Sequence, residues 1–288
     1  MESADISAGD AIVTLKAFGD FVIACHAIRN VLDSPVGIIA GYHVRELASA
    51  LGVQSQVTFI GGPNNQDVPS LFDVRKRGVA AAVRNGLQLR EDLLQVGKGR
   101  RLLSVSNGFR ERFLLANHKH IACAEPGRNV YYDYDALLLR AQLNRQQPLR
   151  RIRNVSGMAV IFPDAREEYR RIPSNLIAQM VKQIEKLGYS VRVARFTPQE
   201  ARHLQEDDCK SEYSSFDELV SFYRDADFIV SADTLTGHLA EYLQIPVFIS
   251  TPAAKPYWLP RSAFDKNAWA VFFDNDPLAA WLSLHTDN

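Results

Sequence analysis

The stretch DFIVSADTLTGHLAEYLQIPVFIS, residues 227–250, reads as one strand–helix–strand unit. Asp227–Ser231 is apolar with the length of a buried strand, Leu235–Leu243 is helical, and Pro246–Ser250 is again a short apolar run. Short apolar strands alternating with helices mark a parallel α/β sheet. Between the first strand and the helix stand Asp233, Thr234, Thr236, Gly237 and His238. A loop that only turns the chain needs no such set of polar groups. Helix N-termini carry unpaired N–H groups and a partial positive charge, and they bind phosphate. The Thr234 and Thr236 hydroxyls add hydrogen bonds there, and Gly237 permits close approach. His238 is either a packed helix residue or a ligand contact.

The alternation extends in both directions. Met158–Phe162 reads as a strand, Ser174–Leu187 as a helix with Ser174 as N-cap and Gly188 as its stop, Ser190–Ala194 as a strand and Ser215–Arg224 as a helix. Ala270–Phe273 is a last strand and Pro277–Leu284 a terminal helix, free to pack back on the N-terminal half. Upstream, Ala11–Leu15, Val36–Ala40, Val57–Ile60, Arg101–Val105 and His120–Ala124 are strand candidates, with helices over Phe21–Leu32, Val44–Leu51 and Ala136–Leu143. Asn144–Gly157 interrupts the rhythm with a proline and Arg145, Arg150, Arg151 and Arg153, which marks a linker. It is either a solvated basic loop or a contact for anionic lipid headgroups or a charged acceptor. The expected fold is α/β, with two Rossmann-like domains facing a cleft, residues 1–150 and 151–288.

Composition narrows the function. The 288 residues leave room for two domains, and 33 Lys plus Arg against 33 Asp plus Glu give no net charge to draw nucleic acid. Cys25, Cys123 and Cys209 are dispersed and odd in number, without zinc-site spacing, and read as reduced thiols. Met1–Asp10 resembles neither a signal peptide nor an anchor, and no apolar run approaches the roughly 20 residues that span a bilayer. A cytoplasmic protein, at most peripheral to a membrane, is expected. No GxGxxG follows the first strand, which argues against a dehydrogenase.

Two more loops carry chemistry. Lys16-Ala17-Phe18-Gly19-Asp20 follows the first strand. There Gly19 allows a turn or close approach, Asp20 either caps the next helix or serves as a general base, and Lys16 adds positive charge. Pro163–Pro173 holds Arg166, Arg170 and Arg171, whose planar forks suit phosphate, although Glu167 and Glu168 offer them surface ion pairs instead. The pairs Asp133/Asp135, Asp225/Asp227 and Asp274/Asp276 have the Asp-x-Asp form of a metal-dependent transferase, and each is better read as a turn or cap. No metal and no cofactor is expected.

Together these loops resemble the bacterial heptosyltransferases. Ala17-Phe18-Gly19-Asp20 matches the family's opening Gly-Asp loop, Arg170-Arg171-Ile172-Pro173 its basic residue before Trp-Pro, and Asp233-Thr234 with His238-Leu239 its Asp-Thr and His-Leu. Gln244-Ile245-Pro246-Val247 matches its Gly-Ile-Pro-Val, and Ser106–Arg110 a segment with a basic residue on the acceptor side. The chain departs from the family at Lys16, Asp164, Ile172 and Leu235. The resemblance implies a GT-B glycosyltransferase that inverts the anomeric centre without a metal. It implies Asp20 as base, and Lys16, Gly19 and Arg110 on the acceptor side. It places Arg170, Arg171, Asp233, Thr234, Thr236, Gly237 and His238 on a nucleotide-sugar donor. The implied acceptor is a glycan or lipid-linked saccharide of bacterial surface polysaccharide or lipopolysaccharide synthesis. A sugar-nucleotide epimerase, a hydrolase and a non-catalytic nucleotide-sugar binder share such a fold.

Overall fold

The computed structural model of the chain describes residues 9–29, 31–32, 36–62, 78–123, 126–144, 156–197, 210–274 and 276–286. The chain divides into two compact units, residues 1–148 and 149–288. Cys209 and the linker arginines 145, 150, 151 and 153 lie outside the described residues.

The first unit is built on five parallel strands, β1 (Asp10–Thr14), β2 (Gly37–Gly41), β3 (Val57–Ile60), β4 (Arg101–Ser104) and β5 (Lys119–Ala122), in the order β3-β2-β1-β4-β5. The chain therefore winds outward from β1 through β3, then returns to the middle and winds the other way through β5. Such a reversal opens a crevice at the carboxyl ends of the two central strands, where open α/β sheets bind ligands. Ala11, Ile39 and Leu102 form the middle of the core, and the helix Val79–Val96 covers them with Leu89 and Leu93.

The second unit repeats the plan with six parallel strands: β6 (Met158–Phe162), β7 (Ser190–Phe196), β8 (Lys210–Tyr213), β9 (Phe228–Ala232), β10 (Val247–Thr251) and β11 (Trp269–Val271). Their order is β11-β10-β9-β6-β7-β8. Its reversal lies between β6 and β9. Both strands are apolar and almost wholly buried, as a strand covered on both faces must be. Phe162, at the end of β6, stacks on Tyr223 with ring centroids 5.1 Å apart. Trp281 of the terminal helix Asp276–Thr286 packs against Phe228 and Phe248 at 5.5 and 5.7 Å, so this helix covers the second unit's own sheet.

Several polar residues have structural roles. Asp227 accepts the backbone N–H groups of Ser156, Gly157 and Met158 at 2.9, 2.7 and 3.2 Å, pinning the chain where it enters β6. Asp133 is buried in the helix Val130–Arg140 and accepts the Gly127 N–H at 2.8 Å. Both acidic pairs that contain these residues thus have a partner in the fold. Ser174 does not cap its helix. Pro173 occupies the cap position and Ser174 is the first helical residue, while Gly188 ends the turn with φ +85°. Cys25 and Cys123 are buried free thiols. Among the described residues no helix is long and apolar enough to cross a membrane.

Candidate active site

In the second unit, the loops after β6 and β9 meet at the reversal of strand order. Thr234 is the N-cap of the helix Leu235–Tyr242, with extended backbone and no side-chain hydrogen bond to a first-turn backbone N–H. Its hydroxyl instead lies 2.8 Å from that of Thr236, which lies 2.6 Å from that of Ser231. Thr236 is buried, and its carbonyl accepts the Tyr223 hydroxyl at 2.8 Å. This residue, expected to touch ligand, therefore supports Thr234 from beneath. Gly237 is also corrected: a Cβ there would come within 2.7 Å of Ile249 Cδ1 and 3.4 Å of Pro260 Cγ. Its missing side chain lets the helix pack against β10 and does not open space for a ligand.

Arg170 ends a short 3-10 turn, Glu168–Arg170, in the loop after β6. Its guanidinium donates to the Asp233 carboxylate at 3.0 Å and to the Asp233 carbonyl, and pairs with Glu167 at 3.2 Å. Arg171, its neighbour in sequence, is exposed and donates to the Ala165 carbonyl at 3.1 Å. It braces its own loop, and only Arg170 reaches Asp233. Burial raises the Asp233 carboxyl above the usual range, opposed by Arg170 and by Lys255. Lys255 is a residue the sequence did not flag. It follows β10, and the pairing of Ser250 with Ala232 sets the loops after β9 and β10 side by side. Asp164, where the chain departs from the heptosyltransferase pattern, accepts Arg195 Nη1 at 2.9 Å and the Phe196 N–H at 3.0 Å, tying the end of β6 to that of β7.

His238 is buried one turn into the helix. Burial first, then the Arg170 charge, lowers its pKa from 6.5 to about 4, so the imidazole is neutral near pH 7. Between these values the unfolded chain binds a proton that the folded chain refuses, so falling pH favours unfolding. Stability is expected to decline as pH drops from about 6.5 to 4, by as much as about 3 kcal/mol, and His238→Gln to flatten that decline. The three tryptophans, Trp258, Trp269 and Trp281, all lie in the second unit, so their fluorescence in urea titrations reports on it.

In the first unit, the loops after β1 and β4 meet in the same way. Asp20 lies in the first turn of the helix Phe18–Ile28 and accepts the Ala17 N–H at 3.1 Å, so it does cap its helix. Its carboxyl is nevertheless raised above the usual range: burial outweighs the opposing Lys16, the Ala17 and Asp20 N–H groups and Arg110. Capping and basicity coexist in one group. Gly19 has ordinary helical backbone and provides no special turn. Lys16 Nζ donates to Ser106 Oγ at 2.7 Å and approaches Glu111 at 3.8 Å, and Arg110 pairs with Glu111 at 3.1 Å. His43 Nε2 lies 2.9 Å from the Lys16 carbonyl and steadies the loop. Each unit thus gathers its own cluster. Lys16, Asp20 and Arg110 share the first reversal point, and Arg170, Asp233, Thr234 and His238 share the second.

No protein-family model and no curated protein matches the sequence. Solved structures do. E. coli heptosyltransferase WaaC with ADP superposes with a TM-score of 0.63 at 12% identity, over 96% of this chain and 99% of that one. E. coli ADP-heptose lps heptosyltransferase II gives 0.58 at 16% identity, over 96% and 98%. The glycosyl transferase family 9 protein of Veillonella parvula gives 0.59 at 10% identity, over 96% and 89%. The fold is that of the heptosyltransferases. At such low identity it is the fold alone that is shared. In this heptosyltransferase-like fold, Lys16–Asp20, Arg170 and Asp233–His238 lie at the two reversal points, whereas Gln244–Val247 lies at the amino end of β10.

Proposed function

We propose that the protein is an inverting glycosyltransferase that takes a sugar from a nucleoside-diphosphate sugar and places it on the hydroxyl of a glycan or lipid-linked saccharide. The observation that carries the reading is that the two reversal points of this fold hold complementary chemistries. One has a helix N-terminus beside Arg170 and Lys255, suited to a diphosphate, and the other has a carboxylate raised by burial, suited to taking a proton.

In this reading Asp20 accepts the proton of the acceptor hydroxyl as its oxygen attacks the anomeric carbon. The bond from that carbon to the β-phosphate oxygen breaks, and its electron pair leaves with the diphosphate. A single displacement inverts the centre. The leaving charge is met by the first-turn N–H groups after Thr234 and by Arg170 and Lys255, fixed before the reaction begins. These groups supply the role of a divalent cation, so transfer proceeds without one. Neutral His238 contributes hydrogen bonding and packing rather than charge. One of the similar structures is a lipopolysaccharide heptosyltransferase, and we extend to this chain a bacterial surface-saccharide acceptor met at the cytoplasmic face of the membrane.

The test is product analysis with a panel of nucleoside-diphosphate sugars, with and without saccharide acceptors, in EDTA. The expected products are a glycosylated acceptor of inverted configuration and an equal amount of nucleoside diphosphate. Donor cleavage without transfer would make the protein a hydrolase, and isomerised donor an epimerase. Donor binding with no turnover would leave only a binding protein. Lys255→Ala is expected to weaken nucleoside-diphosphate binding by about three- to tenfold and to flatten its salt dependence, as removal of one exposed point charge should. Isothermal titration at two ionic strengths reads both effects.

A further inference from the structure

Around Asp20 the first unit assembles two cations and a second carboxylate, and the contacts are unevenly shared. Lys16 spends its ammonium on Ser106 Oγ at 2.7 Å and on Glu111 at 3.8 Å. Arg110 spends its guanidinium on Glu111 Oε1 at 3.1 Å. Both cations lie within electrostatic reach of Asp20, yet the hydrogen bonds its carboxylate accepts come from backbone N–H groups, those of Ala17 and of Asp20 itself. Glu111 is half-buried and ionised. Burial works against its charge, but its own N–H, Arg110 and Lys16 outweigh that and hold its carboxyl below the usual range.

We propose that Glu111 is a positioning residue that engages Lys16 and Arg110 together and so keeps both cations off the Asp20 carboxylate. A base locked in an ion pair is a weak base, because the pair stabilises the form that has lost its proton. With Glu111 in place, Lys16 and Arg110 stay near enough to bind an anionic or polar acceptor while Asp20 keeps the basicity that burial gives it. The elements around Asp20 supply the relevant charges. The loop after β1 brings Lys16, the helix Phe109–Leu115 brings Arg110 and Glu111, and the turn Tyr42–Val44 brings His43 against the Lys16 carbonyl.

Glu111 also stands at the third position of the helix Phe109–Leu115, where an acid stabilises any helix start. That role alone would affect stability and leave Asp20 untouched, so the two readings separate. The measurement is the titration midpoint of the Asp20 carboxyl in the full-length protein by carbon NMR, with the signal assigned by its loss in Asp20→Asn. In Glu111→Gln the midpoint is expected to move down. The acid limb of the kcat/KM profile should move down with it, and the plateau should fall by about three- to tenfold as the base weakens. Glu111→Ala removes the carboxylate without adding an amide and must move the midpoint in the same direction. Glu111→Asp, which keeps the charge, should recover part of the effect. A midpoint that stays in place or rises in the Gln and Ala variants, whatever their melting temperatures, overturns the proposal. The catalytic consequence rests on Asp20 as the base, but the NMR midpoint needs no turnover. Failure of the transferase reading would appear as transfer indifferent to Asp20, with the midpoint still moving.

Discussion

Asp20→Asn is expected to lower kcat for sugar transfer by about a hundred- to ten-thousandfold, the range a positioned general base contributes. Affinity for nucleoside diphosphate should be unchanged, since Asp20 belongs to the first unit and the cluster proposed for the diphosphate to the second. Asparagine suits the test because its amide oxygen can still accept the Ala17 N–H, so the helix start survives while the proton acceptor is lost. Asp20→Ala loses both and should additionally destabilise the protein by about 1 kcal/mol, the usual cost of a missing cap. If single-turnover assays on the Asn variant retain transfer within about tenfold of the parent, a barrier change of only about 1.4 kcal/mol, Asp20 is not the base.

The second large effect concerns Arg170. Arg170→Ala should raise the Kd for nucleoside diphosphate by about ten- to a hundredfold, since hydrogen bonds to charged groups contribute about 1.5–3 kcal/mol. Arg170→Lys should recover little, because one ammonium cannot reproduce a fork that reaches the Asp233 carboxylate, the Asp233 carbonyl and Glu167 together. The substitution also leaves Asp233 buried without its main counter-charge, which costs stability independently of any ligand. Adding Asp233→Asn separates the two effects. Tryptophan-monitored unfolding should return toward the parent value while calorimetric affinity stays low. Recovery of affinity in the double variant would assign Arg170 a purely structural role.

Much of this fold was legible because parallel strands are short apolar runs with little ambiguity. Val57–Ile60 and Met158–Phe162 form over the residues read from the sequence, and the other strands differ at their ends by a few. The helix Val79–Val96 went unread for a physical reason. Its buried face is the narrow stripe Ala82, Gly86, Leu89 and Leu93, while Val79, Val83, Leu87 and Leu94 are exposed. Apolar residues on both sides blur the period that announces an amphipathic helix. β8, Lys210–Tyr213, is a polar run that no hydrophobic pattern marks.

At the sites, residue types were readable and their partners were not. The hydroxyls of Thr234 and Thr236 are two positions apart, and only the helix start determines that one is buried on Ser231. Arg170 and Arg171 look alike in sequence, and the 3-10 turn sends one to Asp233 and the other to Ala165. Glu111 and Lys255 matter through strand neighbours far away in the chain, β1 beside β4 and β9 beside β10, which no local pattern encodes.

The doubled sheet order has a consequence for how such a protein diversifies. Every group assigned to chemistry hangs from the inner pairs β1/β4 and β6/β9 or from the β10 loop, and the outer strands β3, β5, β8 and β11 carry none of them. Insertions at the sheet margins are therefore expected to leave the groups of the proposed site in register. On the proposed reading, the margins of both sheets can change shape while the proposed proton acceptor and phosphate cradle keep their places.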